Sequence, residues 1–170
     1  MIIYEPPHAA TEIPVIDLAD SYSDDIEKRK KVAWEIHKAC VDTGFFYIKN
    51  HTVPQEVMDN QLKLAAEFFA LPMEEKMKLD SVHQHSTRGY EPMAAQTLDE
   101  GSPPDLKEGY MSSVEAGPDH RYTKQNVPGT GLNQWPESFP EFRPQYEAYV
   151  EQVLDLGRHV ARLVALSVER

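Results

Sequence analysis

The chain begins with two short segments in which apolar side chains alternate along an extended backbone. Residues 13–18 predict a strand at the edge of a sheet, because a proline lies within an alternating apolar run. The residues after Gly44 predict a second strand, which leads directly into a new helix. In that strand Phe45 and Phe46 point in opposite directions, and the next two apolar residues repeat the alternation. Since both faces are apolar, we expect this strand to be covered on both sides.

Several longer segments have the spacing of amphipathic helices. The first is expected to begin after Ser23 or Asp24 and to end by Gly44. Its buried stripe consists of Ile26, Ala33, Ile36 and Cys40. Cys40 is the only cysteine, so it excludes an intrachain disulfide and a multi-cysteine metal cluster. We expect this thiol to be a small core residue.

A second helix is predicted over about residues 54–70. Its stripe consists of Met58, Leu62, Ala65 and Phe69. Residues 72–78 place acidic side chains before basic ones and favour a short third helix. Polar residues then predict irregular loops over 80–109, with a turn signal at residues 88–90, and residues 110–114 predict a short strand.

The longest predicted helix begins at Phe139 or Pro144 and reaches Arg170. Its main apolar stripe consists of Tyr146, Tyr149, Val150, Val153, Gly157, Val160, Ala161, Val164 and Val168. A second apolar flank consists of Leu154, Leu156, Leu163 and Leu166. Because a few short strands cannot bury both, we expect this helix to belong to a larger core than the chain provides.

Composition limits the classes of function. The chain has 170 residues, of which 41% are hydrophobic, and this favours a globular fold. Its formal net charge of −11, without a basic cluster, argues against nucleic acid and anionic membranes as partners. No apolar run has the length of a membrane span, and the first residues do not resemble a secretion signal. We therefore predict a cytoplasmic protein.

The histidines do not form a local metal motif. None of the seven is followed two residues later by Asp or Glu, and His-Glu-x-x-His is absent. His83 and His85 are the one pair two residues apart, which is consistent either with a metal site completed by a distant ligand or with a solvated loop pair. A hydrolase that uses this pair or the loop carboxylates is a minor alternative. From the sequence we assign neither metal ligands nor catalytic residues.

Arg88 is the most conspicuous charged residue of the loop region, since it precedes Gly89 and Tyr90. A guanidinium group at this position has the geometry to hold a substrate carboxylate with two hydrogen bonds. Alternatively, Arg88 is a surface residue that pairs with one of the many acidic side chains. The residue pattern favours neither interpretation.

Seven short sequence words occur in a characteristic order. They are residues 13–18, 44–51, 68–76, 88–90, 105–110, 133–136 and 163–167. Each word is weak alone, but the ordered set closely resembles the N-terminal region of the isopenicillin N synthase-like branch of the iron(II)/2-oxoglutarate-dependent oxygenases. The resemblance spans essentially the whole chain.

This resemblance implies an α+β fold that forms the N-terminal helical and strand region of a double-stranded β-helix, or jelly-roll, oxygenase with a long C-terminal helix. Residues 1–170 would then be the N-terminal region of a non-haem dioxygenase. Residues 1–118 would supply strands, helices and substrate-side loops, and residues 137–170 a support helix. The catalytic jelly roll, with its His-x-Asp…His triad and Arg-x-Ser clamp, would be a partner half of the same protein.

The resemblance also implies an activity for the intact protein. Fe(II) and 2-oxoglutarate would be its cofactors, and a ferryl oxidant would abstract hydrogen from a small-molecule substrate. Without the iron ligands, the chain alone is predicted to be inactive. Arg88, Tyr90, Met111 and Ser113 resemble the family's substrate-binding side, with Arg88 recognising an acidic group. Met111 and Ser113 would share one strand face, and Tyr110 would point the other way.

A different class of function also fits the pattern. The surplus apolar flank of the last helix is typical of a non-catalytic helical module that binds a partner. The coding sequence after residue 170 distinguishes the two hypotheses. A His-x-Asp word with a distal His favours the oxygenase, and a stop codon favours the binding module.

Overall fold

The fold mixes helices with short strands. A computed structural model describes residues 12–83, 88–97, 101–127 and 129–168, without the side chain of His83. The elements in order are β1 (Val15–Asp17), a 3-10 helix (Ala19–Tyr22), α1 (Ile26–Asp42), β2 (Tyr47–Lys49), α2 (Gln55–Phe69), α3 (Met73–Met77), a second 3-10 helix (Ser81–His83), β3 (Gly89–Glu91), β4 (Gly109–Met111), α4 (Arg121–Lys124) and α5 (Phe142–Val168). None of the described helices is long and apolar enough to cross a membrane.

The chain folds as two compact units. The first unit comprises Met1–Met58 and Ala148–Arg170, and the second comprises Asp59–Glu147. Each unit has one two-stranded sheet and one cluster of buried apolar side chains.

The first unit is built on a parallel pair of strands. β1 pairs with β2 in the register Val15↔Tyr47, Ile16↔Ile48 and Asp17↔Lys49. Directly paired residues share a face, so Ile16 and Ile48 point together into an aliphatic core. That core consists of Ile16, Leu18, Val32, Ile36, Ala39 and Leu163, with Phe46, Ile48, Leu156 and Val160 packed against it. The strand predicted over 13–18 is therefore confirmed.

The opposite face of this sheet is exposed. Val15 and Tyr47 keep 59% and 62% of their surface exposed, and Phe45 keeps 71%. Within the described residues the second strand is therefore covered on one side, and cover on its other side stays a prediction. Only the face with Phe46 and Ile48 is covered, because α1 and α5 pack on that side alone.

The ends of α1 follow the predicted chemistry with one change. Asp25, rather than Ser23 or Asp24, caps the helix, since its carboxylate accepts a hydrogen bond from the Glu27 amide at 2.9 Å. Gly44 ends the helix in a left-handed conformation, and its amide donates to the Ala39 carbonyl at 2.9 Å. Cys40 is exposed, contrary to the prediction of a core position. The buried positions 32, 36 and 39 shift the packed face of α1 away from it.

In α2 the predicted stripe is only partly correct, since Phe69 packs against buried residues of the second unit but the fully buried positions lie outside the stripe. Leu64 and Phe68 are the buried residues, whereas Leu62 is 71% exposed. Positions 57, 61, 64 and 68 lie on the packed side and include Gln61. Because Gln61 is polar, these positions do not form an apolar stripe in the sequence. The short helix predicted over 72–78 is confirmed as α3.

The second unit is organised around aromatic side chains. Its aromatic cluster contains Leu64, Phe68, Leu79, Tyr90 and Phe142, with Phe69, Leu71, Met77, Tyr110, Trp135, Phe139 and Tyr146 packed against them. β3 and β4 form an antiparallel pair over this cluster. Residues 89–91, predicted as part of a turn, are therefore a strand. The loop between β3 and its partner strand β4 contains 17 residues, and local sequence patterns do not detect pairing across such a loop.

The long predicted helix is confirmed as α5, and its predicted main stripe is partly correct, since Tyr146 and Val160 from that stripe pack in the cores. Phe142 and Tyr146 pack in the aromatic cluster, and Leu156, Val160 and Leu163 pack in the aliphatic core. Leu156 and Leu163 come from the predicted second flank. Several members of the predicted main stripe are exposed instead, namely Val153, Gly157, Ala161, Val164 and Val168.

Candidate functional site

The β3–β4 hairpin has one buried and one outer face. Tyr90 pairs with Tyr110, and both side chains lie in the aromatic cluster. Met111 therefore points to the outer face, where it is 53% exposed, and Gly89 is its partner across the pair. Burial raises the pKa of the Tyr110 hydroxyl, which remains a donor to the Gln134 carbonyl. The prediction that Tyr110 and Met111 point in opposite directions is confirmed.

Gly89 is required for the hairpin to approach its neighbours. Its φ of +114° lies in a region that side chains rarely adopt, and an added Cβ would lie 2.2 Å from the Leu79 carbonyl oxygen. The same Cβ would lie 2.4 Å from Gln134 Nε2, which donates to the Arg88 carbonyl at 2.8 Å. The Tyr90 amide donates to the Leu79 carbonyl at 2.7 Å. Glycine at this position thus lets the Leu79 backbone and the Gln134 side chain both approach the hairpin.

Arg88 lies in the interior, with 3% of its surface exposed. Its guanidinium group donates to the carbonyl oxygens of Gly131, Val114 (3.1 Å) and Gly129 (2.9 Å), while Nε is buried without a partner. The surface interpretation of Arg88 is therefore wrong. Its described hydrogen bonds go to backbone carbonyls, so in this structure Arg88 joins the segment after β4 to the loop around residue 130. Its predicted contact with a substrate carboxylate stays a prediction.

Asn133 fixes the backbone of Ser113. The Ser113 amide donates to Asn133 Oδ1 at 3.0 Å, and Asn133 Nδ2 donates back to the Ser113 carbonyl at 2.8 Å. Ser113 lies beyond the end of β4, so the strand face that it was predicted to share with Met111 ends before it. Met111 and Ser113 are nevertheless both exposed. Met111 and Ser113 thus form an accessible edge of the hairpin, and Asn133 holds the backbone of Ser113 in place.

An ion pair between buried Lys76 and half-buried Glu108 anchors the base of the hairpin. Lys76 Nζ donates to Glu108 Oε2 at 2.7 Å and to the Phe69 carbonyl at 2.9 Å, and its side chain is 5% exposed. Tyr90 donates its hydroxyl to the same Glu108 oxygen at 2.6 Å. The Lys76 and Tyr90 hydrogen bonds hold the pKa of Glu108 below its usual range, while burial raises the pKa of Tyr90 to about 12. These three residues are called the buried triad below.

Sequence reasoning missed Lys76 and Glu108 as members of this site. A lysine in an acidic, exposed-looking helix predicts a solvated side chain, and α3 is too short to show an apolar face. The available signal was positional, since both residues fall within words that carry the family resemblance, residues 68–76 and 105–110. The charged groups of this site are all engaged in hydrogen bonds, namely those of Lys76, Arg88 and Glu108. The site therefore offers a shaped surface rather than a free acid or base.

The histidine pair lies at the limit of the described chain. His85 falls outside the described residues, as does the side chain of His83. Within residues 12–83, 88–97, 101–127 and 129–168, the structure contains no group of three or more His, Cys, Asp or Glu side chains able to hold a metal ion. The described residues therefore do not fit an iron centre.

Comparison with known proteins identifies the family. Residues 13–138 match the family described as the N-terminal region of non-haem dioxygenases in morphine synthesis. This chain belongs to that family. The match includes the β3–β4 hairpin and the buried triad, and it confirms the resemblance to iron(II)/2-oxoglutarate-dependent oxygenases.

Curated relatives carry related names. The chain is 35% identical over 164 residues to the 2-oxoglutarate-Fe(II) type oxidoreductase hxnY of Emericella nidulans, covering 95% of this chain and 47% of that protein. It is also 35% identical over 164 residues to the 2-oxoglutarate-dependent dioxygenase tropC of Talaromyces stipitatus, covering 93% and 50%. The chain thus spans about half the length of these relatives.

Solved structures support the fold. A putative 2OG-Fe(II) oxygenase family protein from Caulobacter crescentus superimposes with a TM-score of 0.74 at 24% identity, covering 93% of this chain and 49% of that one. A full-length Neurospora crassa protein, solved in complex with alpha-KG and thymine, gives a TM-score of 0.72 at 23% identity, covering 91% and 48%. The arrangement of helices and short strands is therefore the one found within known oxygenases.

Proposed function

We propose that this chain is the N-terminal half of a non-haem iron(II), 2-oxoglutarate-dependent oxygenase that oxidises a small molecule. The observation that carries the proposal is the match to hxnY over 95% of this chain but only 47% of that oxidoreductase. An N-terminal family match over residues 13–138 agrees with this position in a longer enzyme. The missing half would be the jelly-roll partner within the same protein.

The iron and 2-oxoglutarate are assigned to that other half. Bound Fe(II) and 2-oxoglutarate would supply the oxidising power of the enzyme. The described residues lack a group able to hold the metal, so this chain would contribute by binding and shaping rather than by ligating iron. The chain alone is accordingly proposed to be inactive.

Within this chain, the outer edge of the β3–β4 hairpin is the proposed substrate side. Met111 and Ser113 are exposed there and are proposed to contact the substrate directly. Arg88 and Tyr90 are buried, so we propose that they act by holding this edge in place. For Arg88 to bind a substrate carboxylate, its guanidinium group would have to leave three carbonyl partners.

The proposal is tested on the protein expressed from its complete reading frame. We expect the frame to continue past residue 170 with a His-x-Asp word and a distal His. With Fe(II), the purified protein should bind 2-oxoglutarate in anaerobic calorimetry and convert it to succinate in air. A frame that stops at residue 170, or a longer protein that neither binds nor consumes 2-oxoglutarate, would refute the proposal.

A further inference from the structure

Met73 lies at the boundary between the buried triad and solvent. It is the first residue of α3, and Lys76 of the triad follows three positions later on the same face of this helix. The Met73 sulfur lies 3.6 Å from the hydroxyl oxygen of Tyr90. Tyr90 is 0% exposed, whereas Met73 is 53% exposed. An exposed residue therefore places its thioether against a hydroxyl group that belongs to the interior.

The Tyr90 hydroxyl has a single proton, and Glu108 accepts it. The hydroxyl donates to Glu108 Oε2 at 2.6 Å, and Lys76 Nζ donates to the same oxygen at 2.7 Å. A thioether sulfur is only a weak hydrogen-bond acceptor, so Met73 does not compete with a carboxylate at this distance. The triad is therefore intact as long as the sulfur of Met73 is reduced.

Oxidation of Met73 changes the acceptors that surround the Tyr90 hydroxyl. Hydrogen peroxide transfers one oxygen atom to a thioether: a sulfur lone pair forms the S–O bond as the O–O bond breaks, and the second oxygen leaves as water with both hydrogen atoms. The sulfur loses two electrons, and the peroxide gains them. The product is a polar sulfoxide, and its oxygen is bonded to the sulfur that lies 3.6 Å from the Tyr90 hydroxyl. This oxygen is a far better acceptor than the thioether was.

We propose that Met73 is an oxidation site through which peroxide loosens the buried triad. In the oxidised protein the Tyr90 hydroxyl donates to the sulfoxide oxygen, and of its two donors Glu108 keeps only Lys76. Tyr90 is the central residue of β3, and its amide donates to the Leu79 carbonyl at 2.7 Å. Because the Tyr90 side chain anchors β3 to the triad, losing its bond to Glu108 makes the strand open more often. The inference does not depend on the proposed activity.

Two other exposed methionines separate this proposal from a general effect of oxidation. Met93 and Met111 are 51% and 53% exposed, so their exposure matches that of Met73. Met93 follows the end of β3, and Met111 ends β4 on the outer face of the hairpin. The hydrogen bonds that the structure describes for the triad include neither of them. Exposure alone predicts the same consequence at all three positions, whereas the proposal predicts that only oxidation of Met73 alters β3.

Hydrogen exchange read by peptide mass spectrometry tests the proposal on the protein from the complete reading frame. Hydrogen peroxide, with a chelator present to suppress metal-catalysed oxidation, is applied to the native sequence, to Met73→Leu and to the matched control Met93→Leu. We expect a sulfoxide at position 73 and at least about threefold faster exchange of the β3 amides in the native sequence and in Met93→Leu. In Met73→Leu the same treatment should leave the exchange of β3 unchanged.

Tyr90→Phe tests the link between the sulfur and the triad, because it removes the proton for which the two acceptors compete. In this variant, peroxide should oxidise Met73 without changing the exchange of β3. Acceleration that persists in Tyr90→Phe, or that is equally large in Met73→Leu, would overturn the proposal. So would a thioether that stays reduced at position 73 while Met93 and Met111 are oxidised. The comparison of the native sequence with Met73→Leu does not use the Tyr90 variant, so it decides the proposal even if that variant fails to fold.

Discussion

The aromatic cluster of the second unit and the aliphatic core of the first differ in what they leave exposed. In the second unit, rings from five segments surround Phe68 and Phe142, and a buried triad satisfies the charges beside them. In the first unit, the sheet and α5 each bury one apolar face and expose another. The second unit thus buries charged groups beside its aromatic core and satisfies them there, whereas the sheet and the helix of the first unit each keep one apolar side exposed.

The largest loss of stability is expected at Phe68 in the aromatic cluster. Phe68 is 1% exposed and stacks on Phe142 with ring centroids 4.8 Å apart. We expect Phe68→Ala to lower the free energy of unfolding by about 3–5 kcal/mol, because it removes a ring and leaves a cavity. Leu62→Ala in the same helix should change it by less than about 0.5 kcal/mol, since Leu62 is 71% exposed. Urea unfolding in a Trp34→Phe background, with Trp135 reporting on the cluster, measures both. Equal losses would contradict the observed register of α2.

A second test removes the charge that Lys76 faces. Glu108→Gln should destabilise the protein by about 3 kcal/mol, because it leaves a buried ammonium group without its counter-charge. Glu74→Gln, on the exposed side of the same helix α3, is the control and should have little effect. Adding Lys76→Met to Glu108→Gln should recover part of the loss in a double-mutant cycle. Strict additivity would mean that the two side chains do not interact in solution.

The same pair predicts a dependence on pH. The pKa of Glu108 is lowered by the Lys76 and Tyr90 hydrogen bonds, so the unfolded state takes up a proton more readily than the folded state. The stabilisation is therefore complete above the ordinary carboxyl pKa of about 4.3 and is lost as the pH falls through the lower folded value. The stability difference between the native protein and Glu108→Gln should shrink in acid. A difference that stays constant on acidification would argue against this charge pairing.

A third and smaller effect is expected at Arg88. Arg88→Lys cannot reproduce the hydrogen bonds to three carbonyls and should cost about 2 kcal/mol. It should also speed hydrogen exchange at Ala116, whose amide donates to the Gly131 carbonyl at 2.9 Å. Met111→Ala should leave stability within about 0.5 kcal/mol of the native value and raise the substrate KM of the intact enzyme. If Arg88→Lys instead raised KM without changing the exchange of Ala116, Arg88 would contact the substrate.

The elements with strong local signals were predictable from the sequence. Periodic apolar residues located α1, α2 and α5, and Gly44 marked the end of α1. The packed faces were less predictable, because α2 places Gln61 among its packed residues and α5 has two apolar sides. The strand β3 and the buried triad depend on partners many residues away. The sequence pointed to Arg88 and Tyr90 but not to their burial. Arg88 is buried against backbone carbonyls and Tyr90 beside the Glu108 carboxylate, and no local pattern specifies these partners.

The smallest loss of stability expected for a buried residue lies in the first unit, at the side chain of Ser21. Ser21 is 1% exposed; its hydroxyl donates to the Leu18 carbonyl at 2.6 Å and lies 2.7 Å from His159 Nε2. Ser21→Ala should cost about 1 kcal/mol, less than any loss expected at the aromatic cluster or the triad. Burial lowers the pKa of His159, with a further contribution from Arg162, so the unfolded state binds the proton more readily. Stability should therefore fall as the pH drops below about 6.5, the ordinary histidine pKa, and His159→Gln should flatten this slope. An unchanged slope in that variant would assign the pH dependence to another group.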